Sequence, residues 1–517
     1  MTLSELDFWQ VLALFQHELL LFAAVFFLIG AIDDIAIDLL WLWLRARGRI
    51  ATGRLDRTEL RAGRLKGRAA VFIPAWSEAS VIRDTLARML AAWPQKDLRI
   101  YVGCYRNDPA TIAAAMRAAP GDARLRIVIH DRDGPSTKAD CLNRLYRALR
   151  ADERRMGEPF AMVAFHDAED IVDPAALGLL DAAIARGASF VQLPVEPLAR
   201  QEGGFLARHL GSHYCEEFAE AHGKDMVLRD ALGAALPAAG VGCAVARGAL
   251  ELLCERAEGD AAQAGPFRAD SLTEDYELGL GVAQFGGACR FVRARGEDGR
   301  LIATRAYFPD RLEHVLRQKT RWVHGIALQG WDRIGSGGSW LETWMRARDR
   351  RGPMTALVLA LGYTLLAVTA ALWTAQGLGL AMPIAPTPLL EVLLIANLVA
   401  FAWRAVWRFL FTASVYGSGE GLRAVLRIPL ANTVAIIAGR RAVTAYARTL
   451  AGRAIEWDKT PHASLPTNPP GTLSDRRPGS LGAPALEPLH VPSRPARRTK
   501  RGSDPARRRA MLPRCLT

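Results

Sequence analysis

AAVFIPAWSEA, residues 69–79, sets the reading of the chain. A continuous apolar run stops at Pro74, and Trp76, Ser77 and Glu78 follow at once. A strand without polar alternation is buried on both faces, as in a parallel sheet covered by helices. The same pattern recurs in LRIYVGCY (98–105), LRIVIH (125–130), AMVAFH (161–166) and SFVQLP (189–194), with helical stretches between them. The expected fold class is α/β, with a mainly parallel, doubly wound sheet. Ligands of such sheets bind beyond the carboxyl ends of the strands. The residues just after each strand are therefore the candidate site.

Those residues are polar and mostly acidic. Asn107 and Asp108 follow the second strand, and Asp131, Asp133 and then Lys138 the third. Asp167, Glu169 and Asp170 follow the fourth. Carboxylates crowded into one site repel unless a cation joins them, and oxygen ligands suit Mg²⁺ or Mn²⁺. The first strand is not followed by G-x-G-x-x-G, and no G-x-x-x-x-G-K-[ST] occurs, so dinucleotide oxidoreductases and P-loop NTPases lose their main support.

The chain has 517 residues, with 66 Lys+Arg against 53 Asp+Glu, a net charge of +13. The last 57 residues carry 11 basic and 3 acidic groups, so most of the excess lies in a Pro- and Arg-rich tail expected to be disordered. A nucleic-acid enzyme carries its positive charge on the folded part, so no nucleic-acid partner is expected. Seven cysteines without C-x-x-C argue against a disulfide framework or a cysteine zinc site. The acidic start MTLSELDFWQ does not read as a cleaved signal peptide.

Three stretches are apolar enough to span a bilayer: Leu19 to Leu44, Met354 to Leu378, and Leu389 to about Phe411. The first contains Asp33, Asp34 and Asp38, each costing roughly 2.5–3.5 kcal/mol at a bilayer centre. Arg404 and Arg408 of the third are the expected partners of these aspartates. Arginines 45, 47 and 49 follow the first span, and 346, 348, 350 and 351 precede the second. Positive charge stays inside, which puts the N-terminus outside and residues 45–351 in the cytoplasm. The expected organisation is an N-terminal segment with the first span (1–50), a cytoplasmic domain (51–351), two spans (352–416), an interfacial amphipathic helix from Pro429 with a WDKT loop (417–462), and the basic tail (463–517).

Several motifs then fall in order. IPAWSEA (73–79), STKADCLN (136–143), DAED (167–170), TED (273–275) and QKTRW (318–322) together resemble the membrane-bound family 2 glycosyltransferases of the processive type. DDIAIDL (33–39), YRNDPAT (105–111) and WDKTPH (457–462) are similar to the phage-adsorption protein B-like subgroup. The order of these elements is more specific than any one of them. A D-x-acid triplet arises by chance in this length, Asp170 or Asp173 reads equally as a helix cap, and so does Thr273. Gln318, Arg321 and Trp322 lie at i, i+3 and i+4, one face of a helix.

The resemblance implies a nucleotide-sugar-binding A-type domain with transmembrane and interfacial α-helices. It implies Pro74, Trp76, Glu78, Asp108, Lys138 and Asp167 at the donor, and Mg²⁺ or Mn²⁺ on Asp167 with Glu169 or Asp170; Glu169 stands where the family's motif has its second aspartate. It also implies Asp275 as base beside Glu274, with Gln318, Arg321 and Trp322 at the diphosphate and acceptor, and inversion at the anomeric carbon. Lys459 of WDKTPH is expected on a lid over the nucleotide. The expected partners are a nucleotide-sugar donor, a polysaccharide or lipid-linked acceptor, the lipid bilayer and an outer-membrane export partner, and the expected location is the bacterial inner membrane. Two alternatives stay open: a single-sugar transferase acting on a lipid carrier, and a non-catalytic membrane component of an exopolysaccharide or phage-adsorption system.

Overall fold

The computed structural model describes residues 7–200, 202–255, 265–381 and 385–452. The first expected strand is β2, Ala69–Pro74; a two-residue strand β1, Gly53–Arg54, precedes it. Next come β3 (Leu98–Tyr105), β4 (Leu125–His130), β5 (Met162–Phe165), β6 (Phe190–Gln192) and β7 (Val195–Pro197). The remaining strands are β8 (Cys243–Ala246), β9 (Cys289–Phe291), β10 (Ala294–Arg295) and β11 (Thr304–Ala306). One sheet holds seven of them in the order β4-β3-β2-β5-β8-β6-β9. β4, β3, β2 and β5 are parallel, β8 runs antiparallel between β5 and β6, and β6 is parallel to β9. The sheet is thus mixed and mostly parallel. Chain order reverses between β2 and β5, where a crevice opens at the strand ends.

The central strands are covered on both faces: Val71, Phe72, Ile100, Val102 and Val163 are fully buried. The helix Lys138–Met156 lies close against β3, because a Cβ on Gly103 would meet Cys141 Sγ at 2.5 Å. That approach fixes where the helix begins, and Thr137 caps it by accepting the Asp140 N–H at 3.1 Å. Lys138, its first residue, is thereby aimed at the crevice.

Among the described residues, three helices are long and apolar enough to cross a membrane: Phe8–Ala46, Gly352–Gly377 and Pro388–Tyr416. The helices Ser418–Leu426 and Ile428–Leu450 meet at a 52° bend, and as a pair they also reach the length and apolarity of one broken span. The interfacial helix expected from Pro429 is thus the longer arm of a bent pair. Leu366, Trp373, Leu398 and Val399 stand exposed on these helices.

The charges in the first span are paired differently from expectation. Asp33 and Asp34 are gripped chiefly by Arg348 and Arg351, with Arg351 Nη2 at 2.7 Å from Asp34 Oδ1. Asp38 takes Lys224 Nζ at 2.6 Å and the Trp403 indole N–H at 2.8 Å. Arg404 reaches Asp34 at 3.7 Å, but its closer partner is Glu220 at 2.7 Å. Arg408 pairs with Glu216 at 3.3 Å instead of an aspartate. The helix Phe205–Glu220 comes up against the span Pro388–Tyr416 and brings carboxylates that sequence spacing does not assign to the spans.

Candidate active site

β2 and β5 end side by side, and the turns after them form one wall of a broad cavity open to solvent. Pro74, Trp76 and Glu78 line it from the β2 turn. Ser77 adopts a left-handed backbone, φ 54°, and its N–H donates to Asp108 Oδ2 at 2.7 Å. Asp108 also caps the helix Pro109–Met116 through the Thr111 N–H at 3.3 Å. It therefore shapes the turn from behind and does not line the cavity. Trp76 packs edge-on to Tyr105 at 5.2 Å, and a Cβ on Gly134 would sit 2.5 Å from its ring.

Asp167, Glu169 and Asp170 come from the β5 turn and line the same cavity. Asp170 is already engaged: it accepts from His166 Nδ1 at 2.8 Å and from the Asp167 N–H at 3.1 Å. Asp173 accepts the Ala175 N–H at 3.0 Å and pairs with Arg57, so its role is local and structural. Lys138 Nζ lies 2.6 Å from Asp167 Oδ1 and 3.9 Å from Glu274 Oε1.

The opposite wall is the N-terminus of the helix Glu274–Gln284. Thr273 makes no side-chain cap there; it is buried, and a Cβ on Gly325 would strike its side chain. Gly240, at φ 79°, brings the loop backbone so close that a Cβ would lie 2.5 Å from Asp275 Oδ2. Burial, together with the charge of Asp275, pushes Glu274 up to about 7. Burial also raises Asp275 against the opposing pull of Lys138 and Arg321. Burial would lower Lys138, but Asp167, Glu274 and Asp275 outweigh it and the ammonium is held charged.

The helix Leu312–Val323 closes the third side with Gln318, Arg321 and Trp322, all lining the cavity. Arg321 Nη1 donates to the Leu272 carbonyl at 3.4 Å, and Gln318 Oε1 has no hydrogen-bond partner among the described residues. Trp322 packs edge-on to Phe308 and Tyr214. Tyr307, Phe308 and Phe218 line the cavity beside it, and sequence reasoning had not singled them out. The signal for Tyr307 and Phe308 is the aromatic pair after β11, and Phe218 lies within the helix Phe205–Glu220. Lys459 and the WDKTPH segment lie outside the described residues.

As a metal site the donor set is lean. No group of three or more metal-binding side chains forms among the described residues. Asp167 and Glu169 on the cavity wall suit a Mg²⁺ or Mn²⁺ that takes few protein ligands and completes its shell with phosphate oxygens and water. The residues fit such an ion.

The cavity thus gathers acidic turns at the β2–β5 crevice, a carboxylate pair opposite and an Arg beside them, on a mostly parallel sheet. The chain belongs to the family described as glycosyltransferase like family 2, whose model matches residues 67–325. Bacteriophage adsorption protein B of Escherichia coli (strain K12) is 31% identical over 465 residues, covering 85% of this chain and 61% of that protein. Bacteriophage N4 adsorption protein B of Escherichia coli O157:H7 matches with the same identity and coverage. The chain thus spans about three fifths of the length of these relatives. Among solved structures, a mannosyltransferase from Pyrobaculum calidifontis in complex with GDP-Man and Mn²⁺ is similar at a TM-score of 0.45 and 18% identity, over 79% of this chain and 98% of that one. Glucosyl-3-phosphoglycerate synthase from Mycobacterium tuberculosis is similar at a TM-score of 0.32 and 18% identity, over 56% of this chain and 90% of that one.

Proposed function

We propose that the chain is a metal-dependent, inverting glycosyltransferase of the bacterial inner membrane, which moves a sugar from a nucleoside diphosphate to a growing polysaccharide on the cytoplasmic side. The observation that carries this reading is the meeting of Asp167, Asp275, Arg321 and Trp322, from three separate parts of the sequence, on one cavity.

A sugar hydroxyl is a poor nucleophile near neutral pH, and a carboxylate that accepts its proton as the bond forms relieves this. Asp275 is that base; its burial brings its basicity nearer to neutral pH. The acceptor oxygen bonds to the anomeric carbon from the face opposite the diphosphate, whose bond to that carbon breaks, and the proton passes to Asp275. Arg321 and Lys138 supply fixed positive charge for the departing diphosphate. Trp322, with Phe308 beside it, offers the acceptor sugar an apolar platform. A divalent ion on Asp167 and Glu169 would act as a Lewis acid at the diphosphate. Nucleotide sugars are too polar to cross a bilayer unaided, which favours a site beside spans that conduct the product outward. An outer-membrane export partner belongs to this reading.

Membranes carrying the chain, incubated with a panel of UDP- and GDP-sugars plus Mg²⁺ or Mn²⁺, should release one nucleoside diphosphate. Asp275→Asn should abolish that release. Release equal to wild type would return the chain to a non-catalytic membrane component. A ladder of products on a gel distinguishes chain growth from a single transfer to a lipid carrier.

A further inference from the structure

A second charged site lies away from the cavity, where the spans meet the catalytic domain. Leu39, Leu42 and Trp43 on the first span and Val406 and Leu410 on the third are exposed, an apolar rim of lipid-facing type. Immediately past it the chain turns basic, with arginines 45, 47 and 49. The Arg45 guanidinium lies 5.3 Å from the Trp41 ring, and that of Arg47 lies 4.9 Å from Trp43. Aromatic and basic side chains in this order mark a headgroup layer.

The two-stranded ribbon of β1 and β10 adds to this layer. Arg54 and Arg295 stand opposite each other in its register. Arg293, one residue outside the ribbon, donates to Thr52 Oγ1 at 2.6 Å, while its Nε has no partner among the described residues. Arg295 donates to two backbone carbonyls, Gly299 at 2.6 Å and Ser414 at 3.4 Å, the latter near the end of the third span. The nearby carboxylate, Glu196, is already held by Arg305 at 2.9 Å. Arg293 also lines a narrow cleft with His222, Gly223 and Tyr416. Burial and the like charges of Arg295 and Arg45 push Arg293 down to about 10, only partly offset by Glu196. A partly buried guanidinium among like charges is costly to hold without an anion.

We propose that Arg45, Arg293 and Arg295 bind the phosphate of an anionic phospholipid in the leaflet on the side of the catalytic domain. Arginine suits this role because its fork matches phosphate oxygens. The contiguous apolar rim supplies a place for the acyl chains, which a free phosphate would leave unused. The inference rests on the membrane reading of the spans and is independent of the transfer chemistry.

The test uses the full chain purified in neutral detergent, with its melting temperature read by tryptophan fluorescence and bound lipid counted by native mass spectrometry. Phosphatidylglycerol should raise the Tm by about 2–4 °C and be retained, whereas phosphatidylcholine and inorganic phosphate should do neither. The Arg293→Gln/Arg295→Gln variant should lose both effects, and Arg440→Gln/Arg441→Gln, two exposed positions on another helix, should keep them. Should the first variant aggregate, Arg45→Gln/Arg295→Gln takes its place with the same expected loss. An equal shift from phosphatidylcholine, an equal shift from inorganic phosphate alone, or wild-type lipid retention by the variants would each overturn the site.

Discussion

Lys138 Nζ rests 2.6 Å from Asp167 Oδ1, so the carboxylate proposed for the divalent ion already faces a cation. Lys138 stands between that acid and Glu274 across the cavity, 3.9 Å from the latter. Replacing it with Met should leave carboxylates from two walls unbalanced and remove a charge from the diphosphate. We expect a fall in kcat/KM of about 10–100-fold, mostly as a higher KM for donor. Steady-state release of nucleotide against donor concentration measures it; an unchanged KM would remove Lys138 from the donor site.

Asp275→Asn keeps shape and loses the proton acceptor. kcat should drop by roughly 10²–10⁴-fold, while donor binding, measured by calorimetry, stays within a fewfold of wild type. A matched loss of donor affinity would instead make Asp275 part of the donor site.

The ion pairs around the apolar helices allow a stability prediction. Glu220 holds both Lys224, at 2.6 Å, and Arg404, at 2.7 Å, and Lys224 is almost fully buried. Glu220→Ala leaves both cations short of a partner and should cost ~3–5 kcal/mol, seen as a lower Tm in detergent. Asp34→Arg should lower folding yield, because Asp34 faces Arg348, Arg351 and Arg404 together. Arg404→Asp should not rescue it, since that change abandons Glu220.

Acid should loosen the domain through two histidines. Burial holds both His213 and His222 down to about 4, against an unfolded value of roughly 6.5. Between those values the unfolded chain binds more protons than the folded one, so stability falls as the pH falls. The contribution is complete above about pH 6.5 and lost as the pH drops through 4, at most ~3 kcal/mol for each histidine. His222 accepts the Val195 N–H at 2.9 Å, a bond that Gln can replace. His222→Gln should therefore flatten the fall in Tm between pH 7 and 4.5, and an unchanged slope would count against the assignment.

Much of this architecture is legible in the amino-acid order, for identifiable reasons. β2, β3 and β4 have the bounds their apolar runs suggest, although Arg99 and Arg126 interrupt two of those runs and β4, at the sheet edge, is only partly buried. The residues that follow β2, β3 and β5 converge because topology requires it of a parallel sheet. Three things were not legible. Asp170 turns back to His166 four residues earlier, a choice made by local turn geometry. Tyr307 and Phe308 gain their place from β11 pairing with β7, a contact between distant segments. The partners of the span charges come from Glu216, Glu220 and Lys224, and nothing in FLARHLGSHYCEEFAE reveals that this helix docks on the spans.

That docking makes the two halves of the molecule thermodynamically inseparable. Ile37, Trp41 and Leu44 of the first span share a single apolar cluster with Leu228, Met345, Trp407 and Phe411. A fragment trimmed to a water-soluble enzyme would strip that cluster and leave Lys224 without Asp38. Reconstitution of activity should therefore demand the anchors as structural components, and a detergent that displaces them should inactivate the enzyme even with its catalytic residues untouched.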